Sequence, residues 1–170
     1  MDWQIKTMAG KSFASETEFK PGDTVISLIF KDMAEGVLAR VDILSSELET
    51  FELGGPRLGQ WKRIIKEDGT GDLAPQEQIL AAEDLFLSLF EDEEESEAAV
   101  EDSERLALQH LLALLLERKR VLRSMGVRAK EGLQRYRHPK LDREFEVPVV
   151  EVSSELMDKI METMGDVFLQ

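Results

Sequence analysis

The chain contains no cysteine. That excludes disulfides, iron–sulfur clusters, thiolate zinc sites and cysteine nucleophiles. It has two histidines, His110 and His138. Neither has a partner histidine at ligand spacing, and two leave little material for a His-rich metal centre or a triad. Residues 67–104 contain no lysine or arginine at all. Long hydrophobic runs are missing too. The longest is Leu111 to Leu116, against the ~20 apolar residues that a membrane-spanning helix needs. The first residues, Met1-Asp2-Trp3-Gln4-Ile5-Lys6, form no apolar signal region, so the expected location is the cytoplasm. Templates for catalysis are absent as well. There is no Gly-x-Ser-x-Gly elbow, Walker loop, Gly-x-Gly-x-x-Gly fingerprint or His-Glu-x-x-His motif.

What is present is charge, and it is unevenly placed. The 170 residues carry 21 bases and 35 acids, a net charge of −14. Residues 1–66 are nearly neutral. Residues 67–104 hold 15 acids, and residues 105–143 hold 11 bases against 3 acids. Residues 144–170 are acidic again, with 7 acids and 1 base. Blocks of this kind mark partner surfaces or helix-end electrostatics. Apolar residues make up 42%, which is globular composition, and a chain this long buries roughly 68–70% of its unfolded surface.

The first third reads as β structure. Trp3–Thr7 is a short strand candidate. Phe19-Lys20-Pro21-Gly22-Asp23 has turn chemistry, and Thr24 to Lys31 is β-branched and apolar, as in a central strand. Ala34-Glu35-Gly36 suits a hairpin loop. In Val37 to Leu44, Val37, Ala39, Val41 and Ile43 share one face and Leu38, Arg40, Asp42 and Leu44 the other, as in a half-buried strand. Ser46-Glu47-Leu48-Glu49 matches a capping box and predicts a short helix through Phe51. Gly54-Gly55-Pro56 ends it, and Gln60 to Lys66 is a further strand. Pro75 suits the first position of a helix. Ile79, Ala82, Phe86 and Leu89 follow at helical spacing. A second helix is expected from Ser103 to Met125, with Gly126 as its stop and a length of about 33 Å. Leu133–His138 and Arg143–Val147 read as a hairpin, with Pro148 favouring an edge. Ser153 or Ser154 caps a last helix through Phe168.

Candidate sites are weighed against plainer readings. The run Glu91 to Asp102 has carboxylates, but a Ca²⁺ or Mg²⁺ site needs oxygens fixed by a rigid loop. The run lacks that pattern and reads as a solvated flexible linker or a surface for a basic partner. Arg118, Lys119, Arg120 and Arg123, followed by Arg128 and Lys130, form a candidate anion or partner patch. Cations also suit a helix C-terminus through the macrodipole, and a net −14 protein repels nucleic acid as a whole. Arg135 and Arg137 are expected to face outward beside Glu144 and Glu146, with Tyr136 and Phe145 inward. His110 reads as a core histidine. His138, beside the hairpin turn, is the better candidate for an enzymatic site. Leu108, Met157, Met161 and Met164 form a candidate interface, since methionine adapts to varied surfaces; core packing is the plainer account.

Five segments together resemble an uncharacterised family of small proteins from Planctomycetes and related bacteria. They are Gly10-Lys11-Ser12-Phe13, Lys20-Pro21-Gly22-Asp23, Gln60-Trp61-Lys62, Leu112 to Leu122, and Phe145 to Val150. Many members carry cysteine near the first hairpin, which implies a ribbon-like N-terminal module. This chain has none, so a metal role does not carry over. The family implies no reaction, and no catalytic residue is transferred.

The expected fold is α+β: an N-terminal antiparallel β-sheet, a helical hairpin with a long central helix, then a β-hairpin and a C-terminal helix. The expected organisation is a β-rich module over 1–66, a linker over 67–74 and a helical module with β-hairpin over 75–170, with one compact unit formed by 1–66 and 75–170 as the alternative. Segment 91–102 is acidic. No cofactor and no metal are expected. The sequence reads as a non-enzymatic protein that binds a protein partner or a second copy of itself. The alternatives are a nucleic-acid or polyanion binder through the basic patch, and an enzyme built on carboxylates or His138.

Overall fold

A computed structural model describes residues 10–34, 36–55, 57–66, 74–91, 103–125 and 132–168. The expected strand at Trp3–Thr7, all of the 67–74 linker but Ala74, the acidic stretch 92–102, Gly126, Arg128 and Lys130 lie outside the described residues. Three strands, β1 (Thr24–Asp32), β2 (Val37–Leu44) and β3 (Arg57–Ile64), precede two helices, α1 (Pro75–Glu91) and α2 (Ser103–Arg118). A short β4 (Arg123–Ser124), the hairpin β5 (Leu133–His138) and β6 (Arg143–Pro148), and α3 (Ser154–Phe168) follow. The class is α+β, in the expected order. Two antiparallel sheets form, β2-β1-β3 and β4-β5-β6.

The first sheet is buried on both faces. Ile26, Leu28, Phe30, Val41 and Ile43 form one apolar layer, covered by Leu48, Phe51 and Leu53. The expected capping helix there is only a 3₁₀ turn, Ser45–Glu47. Glu47 closes it by accepting the Leu44 N–H at 3.1 Å and the Ser12 hydroxyl at 2.6 Å. The opposite face carries Ile29, Leu38 and Trp61 into the main core with all three helices and the hairpin. One core therefore spans both sides of the expected break at 67–74. Gly59 makes this docking possible. A Cβ there would stand 2.6 Å from Leu85 Cδ1 and 3.0 Å from Ser88 Oγ of α1.

The long helix ends sooner than its sequence suggests. Arg120 N–H reaches the Glu117 carbonyl at 3.0 Å, and Val121 N–H reaches the Leu116 carbonyl at 2.8 Å. This pair is the Schellman pattern, which turns the chain out of a helix. The turn drives Leu122 into the core, where it is buried. Sixteen helical residues give α2 about 24 Å in place of the expected 33 Å. At its other end, buried Arg105 donates to the Leu89 carbonyl at 2.8 Å and the Arg57 carbonyl at 3.0 Å. A cation thus sits on the C-terminal carbonyls of α1, where the macrodipole favours it.

α3 starts on Ser153, whose hydroxyl accepts the Leu156 N–H at 3.2 Å, and it packs on α1 and β2. Its last turn meets charges buried on the helix-facing side of the first sheet. Arg40 grips Asp166 with two hydrogen bonds of 2.9 and 3.0 Å. Arg63 reaches the same carboxylate at 2.6 Å. Asp42 accepts Arg40 Nε at 3.1 Å and the Ser27 hydroxyl at 2.5 Å. The Arg40 guanidinium also lies 4.8 Å over the Trp61 ring and takes the Thr163 carbonyl at 3.2 Å. That carbonyl precedes Met164, where the backbone leaves helical geometry at φ −138° and ψ 35°. Burial works against the Arg40 cation, but Asp42 and Asp166 outweigh it and raise its pKa above the ordinary value. The Arg40–Asp42 face of β2, on a strand expected to be half-buried, is thus a buried ionic layer.

Two predictions follow from these contacts. Asp166→Ala removes the carboxylate shared by two buried guanidinium groups, so urea unfolding should show a loss of about 3–5 kcal/mol. Arg135→Ala removes an exposed pair with Glu146 at 3.5 Å and should cost less than about 1 kcal/mol. The second concerns pH. Burial pushes the His110 pKa below 6.5, opposed by its hydrogen bond with the Pro148 backbone. The unfolded chain therefore takes up this proton first, and stability falls as pH drops below 6.5. Glu47 is held below 4.5, chiefly by the Ser12 hydroxyl, and Glu77 by Lys66 and the Ala74 N–H. Their contribution is present above 4.5 and is lost as pH falls through the lowered values. Thermal midpoints should therefore decline in two stages on acidification, and His110→Gln should erase the first.

Candidate functional site

The Schellman turn, β4 and the β5–β6 turn converge on the N-terminal half of α1. Between them lies an open groove of about 440 Å³. Ile79 and Leu80 of α1 supply apolar surface, with Val121 and Pro139 opposite. Leu80 is 61% exposed. The rim is cationic, with Lys119 and Arg120 from the turn, Arg123 from β4 and Lys140 from the hairpin turn. The facing carboxylate is Glu83. Among the described residues, none of the four cations is held by an ion pair or a side-chain hydrogen bond. Arg40 and Arg63, by contrast, are neutralised inside the fold.

Arg120 occupies the left-handed region at φ 65°. This is the position after a helix that glycine fills without a steric penalty. A residue with a Cβ pays roughly 1–2 kcal/mol there. Non-glycine residues in such conformations concentrate at functional sites. Here the conformation places the Arg120 side chain on the groove.

His138 lies behind the rim and is 1% exposed. Its Nδ1 accepts the Leu141 N–H at 3.2 Å, so the neutral ring carries its proton on Nε2. That atom stands 3.5 Å from Glu83 Oε2 without a directed hydrogen bond. The ring thereby ties the turn bearing Lys140 to α1. It has no surface through which to meet a substrate. Its part in this geometry is to position the turn.

The structure brings together Lys119, Arg120 and Arg123 from the sequence-predicted patch and adds Lys140, which the sequence places 17 residues from Arg123. Arg118 is exposed at the end of α2 and does not line the groove. Arg128 and Lys130 lie outside the described residues. Of the candidate interface, Leu108 and Met164 have no exposed surface and pack in the main core. Met161 and Met157 are half-buried, and Met161 packs against that core. Leu108 and Met164 meet a partner only if the core opens. Among the described residues no group of three or more His, Asp or Glu is placed to hold a metal ion. No helix among them is long and apolar enough to cross a membrane.

No family model, curated protein or solved structure matches the chain. The resemblance to the planctomycete family rests on its short segments alone.

Arg120→Gly relieves roughly 1–2 kcal/mol of left-handed strain but loses about 0.4–1 kcal/mol to the freer unfolded chain of glycine. Urea unfolding should therefore show a net stabilisation on the order of 1 kcal/mol at most, while one cation is removed from the rim.

Proposed function

We propose that the protein is a non-catalytic cytoplasmic binding module that takes an anionic segment of a partner in the groove between α1 and the α2–β4 turn. The observation that carries this reading is the set of four cations, Lys119, Arg120, Arg123 and Lys140, around one concavity, none of them paired by its side chain among the described residues. Cations that serve stability are paired or capped here, as Arg40, Arg63 and Arg105 are. Those at the groove are left for something else. Charge of one sign lining a concave surface raises the local concentration of its counter-ion and speeds encounter.

The partner is a short acidic peptide segment rather than nucleic acid. The chain's overall net charge of −14 repels a long polyanion, whereas a short segment meets only the cationic concavity. The apolar surface of Ile79, Leu80 and Val121 suits a peptide with small apolar residues beside its carboxylates.

Fluorescence anisotropy with a labelled polyglutamate peptide tests the reading. Binding should appear at low salt and weaken steadily as salt shortens the screening length from about 10 Å at 0.1 M to about 3 Å at 1 M. Arg120→Gly should weaken it several-fold with the fold intact. An absence of salt-dependent binding by the wild-type protein overturns the reading. Tighter binding of an oligonucleotide of equal charge moves it to nucleic acid.

A further inference from the structure

The groove is cationic along its rim but not throughout, and the exception is Glu83. Gln76, Ile79, Leu80 and Glu83 of α1 all line it. They fall at the i, i+3, i+4, i+7 spacing that puts residues on one helix face. Seven residues of helix run about 10.5 Å, roughly the reach of three residues of extended peptide. This wall is therefore polar at Gln76, apolar at Ile79 and Leu80, and acidic at Glu83.

Glu83 does not neutralise the rim. Among the described residues no ion pair joins it to Lys119, Arg120, Arg123 or Lys140. Its near neighbour is the His138 ring, with Nε2 3.5 Å from Glu83 Oε2. Since His138 Nδ1 accepts the Leu141 N–H, the hydrogen of the neutral ring sits on Nε2 and faces Glu83. That nitrogen is buried and has no directed hydrogen bond. The ring thus stands behind Glu83, whose side chain is 25% exposed, and a neutral donor leaves the carboxylate its full charge.

We propose that Glu83 sets the specificity of the groove: the acidic segment it takes carries one basic residue among its carboxylates. The carboxylates go to the rim and the basic residue to Glu83. This inference rests on the reading of the groove as a site for an acidic peptide and adds which acidic peptide it prefers.

The electrostatics favour a mixed segment. A uniformly acidic chain laid along α1 brings a carboxylate against Glu83, and like charges set together count against a partner. Partial burial leaves Glu83 less screened by salt than a surface acid. A basic residue at the same place turns repulsion into attraction. The rim alone gives the opposite order, because four cations attract a ligand more strongly the more negative it is. A carboxylate kept only to tie His138 to α1 predicts that opposite order too, since it would not meet the ligand.

Fluorescence anisotropy with three labelled peptides tests the proposal. They are hexaglutamate and two variants with lysine at the third or the fourth position, all with blocked termini so that no terminal amine meets Glu83. At about 0.05 M salt, where screening is weak, the wild-type protein should bind the better lysine peptide at least as tightly as hexaglutamate, against the order of net charge. Glu83→Gln removes the charge and keeps a side-chain oxygen near His138, so the melting midpoint should stay at the wild-type value. This variant should bind hexaglutamate about fivefold more tightly than wild type does, the weight of one partly exposed ion pair, and rank it first. A wild-type preference for hexaglutamate over both lysine peptides overturns the proposal whatever the variant does, and leaves the anion groove standing. The same ranking in Glu83→Gln as in wild type also overturns it. Binding of none of the three peptides by the wild-type protein removes the groove reading and this one together.

Discussion

The Asp166 carboxylate, held by Arg40 and Arg63, is the constraint on which the rest of the packing depends. Two guanidinium groups lie on the inner face of the first sheet, each with a side chain only 2–3% exposed. Burying an unpaired cation is costly, so the fold must bring carboxylates to them. Asp42 comes from the same strand as Arg40, but Asp166 comes from the last turn of α3. Its arrival fixes the rotation and register of α3. Only one orientation places Asp166 at Arg40, Thr163 carbonyl oxygen at the same guanidinium, and Ile160 and Val167 in the core. An apolar layer of equal volume has no such directional demand. Gln78 adds a bond from α1 to the Asp166 carbonyl at 2.8 Å, so the sheet, α1 and α3 meet at one residue.

This layer was the least legible part of the sequence, for an identifiable reason. The alternation in Val37–Leu44 shows two faces and reads as a half-buried strand. That inference assumes a sheet with one dry side. The sheet is covered on both, and the second cover comes from helices far along the chain. A signal existed in Asp166 itself. An acid in the final turn of a helix opposes the macrodipole, and the nearest base in sequence is Lys159. A carboxylate so placed needs cations from elsewhere. By contrast, β1, β2, the β5–β6 hairpin and α3 were readable because their cues are local. The Tyr136–Phe145 pairing and the Ser153 cap needed no distant partner.

The end of α2 shows how a local cue misleads. Gly126 is a good stop signal, and residues through Met125 are compatible with helix. The chain turns earlier because Leu122 is worth more in the core than on a sixth helical turn. Arg120 then has to take the left-handed position that glycine would fill without strain. The part of the site that depends on composition, Lys119, Arg120 and Arg123, was legible. Lys140 was not. It lies on a hairpin turn far along the chain, so the convergence of these cations on α1 is a property of the tertiary fold.

That convergence also changes the weight of the electrostatic account. A basic cluster at a helix C-terminus is explained by the helix dipole for as long as the cluster stays on the helix. The dipole acts within the last turn. Lys119 and Arg120 are close enough to benefit, but Arg123 and Lys140 are not, and helix stability gives no reason for them. Among the described residues three other arginines lie in the interior, and each is supplied with oxygens: carboxylates for Arg40 and Arg63, carbonyls for Arg105. The four cations gathered around one groove have no such oxygens among the described residues. The proposed anion would account for their clustering, whereas the strain at Arg120 follows from the turn that buries Leu122.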